Sequence, residues 1–80
     1  MKSIKVRYFA LLREKAQRSE EEFKTQALTY QDLYQELAAR HDFSLPVEMI
    51  QVAVNDEYVP ATTIIQEGAQ VVFIPPVAGG

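Results

Sequence analysis

Hydrophobic and polar residues alternate at the start of the chain, which is the period-two pattern of a strand with one buried and one exposed face. The alternating residues are Ile4, Lys5, Val6, Arg7 and Tyr8. Phe9 falls on the charged side of this pattern, and the alternation by itself favours a ring that turns back into the core at the strand end. Residues 10–16 are rich in helix formers and predict a short helical turn.

A second alternating segment and a helix follow. Residues 23–27 predict a strand that returns beside the first. Thr29 is a good N-cap, and after it apolar residues recur at i, i+3, i+4, i+7 and i+8. These residues are Tyr30, Leu33, Tyr34, Leu37 and Ala38. Because the chain has one strong helix, we expect this stripe to cover the protein's own core.

The second half of the chain again has strand character. Residues 50–54 predict a strand, Asn55 and Asp56 a tight hairpin turn, and residues 58–59 a short return strand. The apolar run at residues 71–74 is typical of a central strand. The predicted order is strand, strand, helix, strand, short strand, strand. This order predicts an α+β fold of the β-grasp type, with one main helix packed across one face of a mixed sheet.

The composition limits the chemistry that this domain can perform. The chain has 80 residues, of which 48% are hydrophobic, and it contains no cysteine and one histidine. Neither a thiolate metal site nor a disulfide is available, and we expect no metal site and no catalysis by the chain alone. His41 is expected to be partly exposed and favoured by the helix dipole. The acidic residues 20–22 are expected to face water.

The charge is unevenly distributed. Residues 1–18 hold six basic residues and one acid, so they carry +5, and the remainder carries −8 because the net charge is −3. The overall acidity argues against duplex nucleic acid as a partner. Solvated faces are the favoured interpretation of the basic half, with a docking patch as the alternative. The apolar stretch near the N-terminus is far too short to span a membrane, and we expect a cytoplasmic protein without a membrane partner.

The last six residues differ from the rest of the chain. Pro75 and Pro76 end the ladder of the preceding strand, so we expect a β-grasp domain over residues 1–74 and an extended, flexible tail over residues 75–80. Six residues reach about 20 Å. The glycines at the end can thread a narrow channel, and an activated terminal carboxylate can accept sulfur as a thiocarboxylate. A frayed terminus is the alternative interpretation.

Three segments carry a resemblance to a known family. These are residues 9–14, with the sequence Phe-Ala-Leu-Leu-Arg-Glu, the hairpin at residues 53–55, and the ending Phe-Ile-Pro-Pro-Val-Ala-Gly-Gly at residues 73–80. Together they resemble the small subunits of molybdopterin synthase over nearly the whole chain. The resemblance implies a β-grasp sulfur carrier of molybdenum cofactor biosynthesis, which is inactive alone and acts as one subunit of a sulfurtransferase.

The resemblance also implies the chemistry of the tail. Gly80 would be adenylated by an E1-like activating enzyme that uses ATP, and a sulfur donor enzyme would supply the sulfur of its thiocarboxylate. Gly79 would be the sterically minimal residue before it. Inside the large subunit of molybdopterin synthase, the sulfur would pass to cyclic pyranopterin monophosphate. No cofactor bound by the chain itself is implied.

The partner surface implied by the resemblance lies on the sheet and along the tail. Its residues are Phe9, Arg13, Tyr58, Ile74, Pro75, Pro76, Val77 and Ala78. On this interpretation Phe9 belongs to a docking surface instead of the core. The two interpretations of Phe9 make opposite statements about the exposure of its ring.

The chain departs from the family pattern at two places. Gln17 and Arg18 stand where family members commonly have glycine, and Ala69 and Gln70 stand where an acidic pair is common. These departures put the shape of two loops in doubt. The alternatives to a molybdopterin carrier are a carrier for thiazole or tRNA thiolation, a ubiquitin-like protein modifier, and a plain interaction domain.

Overall fold

The computed structural model describes residues 1–76 of the chain. Five strands and two α-helices occur within them. Their bounds are β1 Lys2–Tyr8, α1 Ala10–Ala16, β2 Glu20–Thr25, α2 Tyr30–His41, β3 Gln51–Val54, β4 Glu57–Val59 and β5 Gln70–Ile74. A short 3-10 helix, Val47–Met49, precedes β3. Neither α-helix of residues 1–76 has the length and apolar content needed to cross a bilayer.

The strands form one mixed sheet in the order β2-β1-β5-β3-β4. The first and last strands, β1 and β5, lie side by side and run parallel, with Tyr8 opposite Phe73. All other strand pairs are antiparallel. The apolar stripe of α2 is buried against one face of the sheet. This arrangement confirms the predicted β-grasp fold.

The core forms where the apolar stripe of α2 meets the inward residues of the strands. Phe73 lies at its centre, fully buried, with its ring 5.4 Å from the ring of Tyr34 in an edge-to-face arrangement. Tyr34 also donates a hydrogen bond from its hydroxyl to the carbonyl of Leu45 at 2.8 Å, so its polar end is satisfied. Thr29 caps α2 as predicted, because its hydroxyl accepts a hydrogen bond from the N–H of Asp32.

Helix α1 begins and ends with residues in the left-handed region of backbone space. Ala10 at its start has a φ of 50°, and Gln17 at its end has a φ of 59°. The N–H of Gln17 donates to the carbonyl of Arg13 at 2.9 Å, which closes the last turn. Glycine is the residue that adopts this conformation at least cost. Gln17 therefore adopts the left-handed backbone conformation that glycine would adopt at this position, but its Cβ makes that conformation more costly.

A hydrogen-bonded cluster around Glu21 connects the end of β1 to β2 and α2. The hydroxyl of Tyr8 donates to Glu21 Oε1 at 2.6 Å, and His41 Nε2 lies 2.9 Å from the same oxygen. Arg18 donates to Glu21 Oε2 at 3.0 Å. The expectation that all three acids at residues 20–22 face water is wrong for Glu21, whose side chain is buried. His41 is likewise held by tertiary contacts, with its ring packed against Phe43.

The pKa values in this cluster follow from burial and hydrogen bonding. Burial disfavours the charged form of Glu21, but the hydrogen bonds from Tyr8 and His41 outweigh it and hold the pKa of Glu21 below its ordinary value. Burial raises the pKa of Tyr8 well above its ordinary value, and the hydrogen bond to Glu21 adds to this effect. Glu21 is therefore an ionised acceptor at neutral pH, and Tyr8 is a neutral donor.

Replacing Gln17 by glycine should stabilise the protein. The change removes the Cβ from a residue at a φ of 59°, and we expect the free energy of unfolding to rise by about 1 kcal/mol. In a domain of this size, the melting temperature should rise by roughly 4–8 °C. Gln17→Ala is the control, because alanine keeps the Cβ and should give no comparable gain. Equal melting temperatures for the two variants would contradict the argument.

Replacing Glu21 by glutamine should destabilise the protein in a pH-dependent way. Because the folded-state pKa of Glu21 is lowered, its charge stabilises the fold above the ordinary glutamate pKa of about 4.3, and this contribution is lost as the pH falls through the folded pKa. We expect a loss of about 1–3 kcal/mol at pH 7, measured by urea unfolding. The difference from wild type should shrink below about pH 4. Glu22→Gln, at an exposed neighbouring position, should change the stability by less than about 0.5 kcal/mol.

Candidate functional site

The face of the sheet opposite α2 is built from the residues that alternate with the core. Strand register places Arg7 opposite Val72, Val72 opposite Ala53, and Ala53 opposite Tyr58. Neighbouring strands are about 4.8 Å apart, so these four side chains form one row across β1, β5, β3 and β4. The row changes along its length from a cation on β1 to an aromatic ring on β4.

A second row lies closer to the end of the sheet at which β5 finishes. Ile74 pairs with Gln51 on β3, and Phe9 follows Tyr8 in an extended conformation with φ −120° and ψ 149°. Because Tyr8 points into the core, alternation turns Phe9 to the opposite face. Its side chain is 46% exposed, so the expectation from alternation alone that it turns into the core is wrong. The docking role of Phe9 stays a prediction.

These two rows place an apolar surface on the otherwise polar side of the sheet. We call it the apolar band, and its members are Phe9, Tyr58, Val72 and Ile74, together with Ala53, which is buried between Val72 and Tyr58. Tyr58 is its most exposed member, at 71%. Aromatic rings that stand on an open sheet face beside smaller apolar residues are typical of a surface that a partner protein covers. The band thus brings the predicted residues Phe9, Tyr58 and Ile74 to one face.

Val72 and Ala53 were not among the predicted site residues. Val72 lies in the apolar run that predicts a central strand, and a continuous apolar run does not show which face of the sheet each side chain occupies. The signal that identifies it is its separation of two residues from Ile74, which places both side chains on one face. Ala53 is small and has no chemical signal of its own. Only the register with Val72 and Tyr58 shows that Ala53 joins them.

Basic side chains flank the band at the end of β1. Arg7 lies in the first row and forms an exposed ion pair with Glu20, with 3.7 Å between Nε and Oε2. Arg13 is exposed on α1, and its backbone N–H donates to the carbonyl of Phe9 at 3.4 Å. An exposed pair such as Arg7–Glu20 contributes about 0–1 kcal/mol, which leaves the arginine available to a partner. The predicted residue Arg13 therefore lies on the helical turn that begins at Phe9.

The C-terminal segment leaves the sheet beside this surface. Strand β5 ends at Ile74, as the prolines predict, and Pro75 is buried whereas Pro76 is exposed. Because β1 and β5 are parallel, this exit lies at the same end of the sheet as Phe9 and α1. The remaining predicted residues, Val77, Ala78, Gly79 and Gly80, lie outside the described residues. The arrangement is an apolar sheet face with a chain that departs from the end of the central strand β5 beside it.

Solved structures with this fold are known. The first is described as a putative molybdopterin converting factor, subunit 1, from Pyrococcus furiosus. It is 28% identical, the alignment covers 96% of this chain and 100% of that one, and the TM-score is 0.78. The small archaeal modifier protein 1 of Haloferax volcanii is 21% identical, with coverages of 96% and 100% and a TM-score of 0.78. At that identity the likeness concerns the fold alone.

A third solved structure contains a partner. It is a complex of subunits 1 and 2 of the molybdopterin-converting factor from Helicobacter pylori, and its matching chain is 22% identical, with coverages of 98% and 99% and a TM-score of 0.66. The sequence model of the ThiS family matches residues 6–80, which is nearly the whole chain and includes the diglycine. The chain therefore belongs to the ThiS family, whose members are ubiquitin-like β-grasp proteins of the sulfur-carrier type.

Proposed function

We propose that this protein is the sulfur carrier of molybdenum cofactor biosynthesis and acts as the small subunit of molybdopterin synthase. The observation that carries the proposal is the apolar band, which lies beside the strand end from which Pro75 and Pro76 leave. A carrier needs a surface that a partner grips and a chain end that the partner can reach. The 28% identity to a putative subunit 1 of the molybdopterin converting factor supports this pathway.

The chemistry of the proposal is located at Gly80. A free carboxylate is ionised at neutral pH and resists nucleophiles, so an adenylating enzyme must first convert it to an acyl adenylate with ATP. A sulfur donor enzyme then supplies the sulfur that displaces AMP and leaves a thiocarboxylate. Without side chains, Gly79 and Gly80 allow the chain end to enter a narrow active site. The family match extends through both glycines, which supports this assignment.

The folded domain contributes recognition and positioning in this scheme. In the large subunit of the synthase, the thiocarboxylate would deliver its sulfur to cyclic pyranopterin monophosphate, and the domain would hold the tail in place. Phe9, Tyr58 and Ile74 would dock on the partner, and Arg13 would add a cation at the edge of that contact. Pro75 to Ala78 would line the entrance to the partner's active site. The chain alone would have no activity.

Intact-mass measurement tests the proposed carrier function. The protein is incubated with its adenylating enzyme, ATP and a sulfur donor, and we expect the mass increase of one oxygen replaced by sulfur. A variant that lacks Gly80 is the control and should keep the same melting temperature without gaining sulfur. Adding the large subunit and cyclic pyranopterin monophosphate should return the carrier to its original mass.

Three outcomes would contradict the proposal. An unchanged mass in the presence of the complete activating system would show that Gly80 is not a sulfur acceptor. If the thiocarboxylate forms but is used only by a thiazole or tRNA thiolation enzyme, the protein is a sulfur carrier of a different pathway. Isopeptide-linked species in cell extracts that disappear on deletion of Gly80 would instead indicate a protein modifier.

Replacing Phe9 by lysine should weaken binding to the large subunit without unfolding the domain. Phe9 is half exposed and is not a member of the buried core, so the melting temperature should change little. Loss of an aromatic anchor and burial of a charge should weaken the affinity at least tenfold, measured by calorimetry. Ile64→Lys is the control, since Ile64 is also an exposed apolar residue, at 57%, and lies beside Thr29 at the start of α2. Equal affinities for both variants would contradict a docking role for Phe9.

A further inference from the structure

A groove of about 350 Å³ lies between α1 and the segment that follows α2. Its deeper part is formed by Leu12 and Phe43, which are buried, and its apolar lining continues with Leu11 and Leu45. The polar residues of the lining are Glu14, Lys15 and Ser44, which are all exposed. The groove thus has an apolar interior with polar residues around it, as a site for an apolar side chain requires.

Leu11 is the residue that makes this groove unusual. Its side chain is 52% exposed although it stands on a helix with Leu12, which is almost fully buried. On a helix, residues four positions apart share a side, whereas residues two positions apart point in nearly opposite directions. Leu11 and Lys15 therefore both line the groove, whereas Arg13 points away from it. Helix α1 thus lies between the groove, which Leu11 lines, and the apolar band, whose member Phe9 immediately precedes the helix.

The groove lies at the end of the sheet from which the tail departs. The rings of Tyr8, at the end of β1, and Phe43, in the groove, have centroids 5.8 Å apart. Gly80 is the fourth residue after Pro76, so the covalent reach from Pro76 to Gly80 is about 13 Å. A protein that acts on Gly80 must therefore approach this end of the sheet, where α1 stands between the band and the groove. The groove continues the docking surface instead of forming a remote second one.

We propose that the groove receives an apolar side chain of the large synthase subunit, so that this partner grips α1 from both sides. The inference rests on the proposed function and extends its interface beyond the apolar band. On one side of α1 the partner would cover Phe9 and Arg13. On the other side, its apolar side chain would bury Leu11, with Glu14 and Lys15 as polar neighbours. Such a two-sided grip fixes the direction in which the tail leaves.

A pair of leucine variants tests the groove. Leu11→Glu places a charge at its mouth, and Leu28→Glu makes the same change at a leucine that is 60% exposed, near the start of α2. Both variants should keep the wild-type melting temperature, because neither leucine is buried. With the purified large subunit, we expect Leu11→Glu to raise the dissociation constant about tenfold or more and Leu28→Glu to change it less than twofold.

A filling variant provides a second, independent measurement. Ser44→Trp adds bulk inside the groove while leaving Leu11 in place, and it should also weaken binding about tenfold. In the wild-type complex, the methyl NMR signals of Leu11 and Leu45 should shift, whereas those of Leu28 should not. The sulfur acceptance of Gly80, measured by intact mass, should be unchanged in Leu28→Glu.

The outcomes separate this inference from the proposed function. Wild-type binding that neither Leu11→Glu nor Ser44→Trp weakens would overturn the groove inference alone. A wild-type protein that does not bind the large subunit would overturn both. Two further results would assign the groove to another occupant and would also overturn the inference. In the first, the groove variants bind the adenylating enzyme more weakly but bind the large subunit normally. In the second, they lose a self-associated dimer in sedimentation experiments and keep their affinity for the large subunit.

Discussion

The parallel pairing of β1 with β5 is the contact on which the rest of the structure depends. It joins the first and last strands at the centre of the sheet and places Phe73 opposite Tyr8, where both rings are buried. Phe73 packs on Tyr34 of α2, so the same strand holds the helix to the sheet. Because parallel strands end on the same side, this pairing also brings α1 next to the exit of the tail. The pairing of β1 with β5 thus determines both the packing of the core and the place where the tail leaves the sheet.

The end of the sheet that carries the tail is held by polar contacts as well as by burial. Glu21 accepts hydrogen bonds from Tyr8 and Arg18 and contacts His41, which ties β1, β2 and α2 together next to Phe9. Buried carboxylates are stable only when such partners satisfy them. A firmly held strand end lets an exposed aromatic ring and a short helix keep their positions. That rigidity suits a domain whose proposed task is to present a chain end to other proteins.

Much of the fold could be predicted because the local signals agree with the final packing. Thr29 and the stripe on α2 mark a helix, and the apolar run ending at Ile74 marks a central strand, which both occur in the structure. Phe9 and Glu21 could not be assigned in this way. Alternation favours the core for Phe9, and the run of three acids favours water for Glu21, whereas the structure exposes Phe9 and buries the side chain of Glu21. The exposure of Phe9 depends on the turn at Ala10, and the burial of Glu21 depends on Tyr8 and His41, which are distant in sequence.

The sequence by itself determined the β-grasp order of elements and the residue at which β5 ends. Helix caps, hydrophobic periodicity and prolines act over a few residues, so these features can be identified without the fold. The C-terminal diglycine is likewise visible in the sequence. It also pointed to Phe9, Tyr58 and Ile74 through resemblance. Tertiary structure alone decided that Val72 and Ala53 join these residues, since strand register sets which side chains become neighbours. It also decided that Leu11 opens onto a groove. The groove forms between α1 and the segment that follows α2, which come into contact only after folding. The hydrophobic periodicity of either segment alone does not predict that contact.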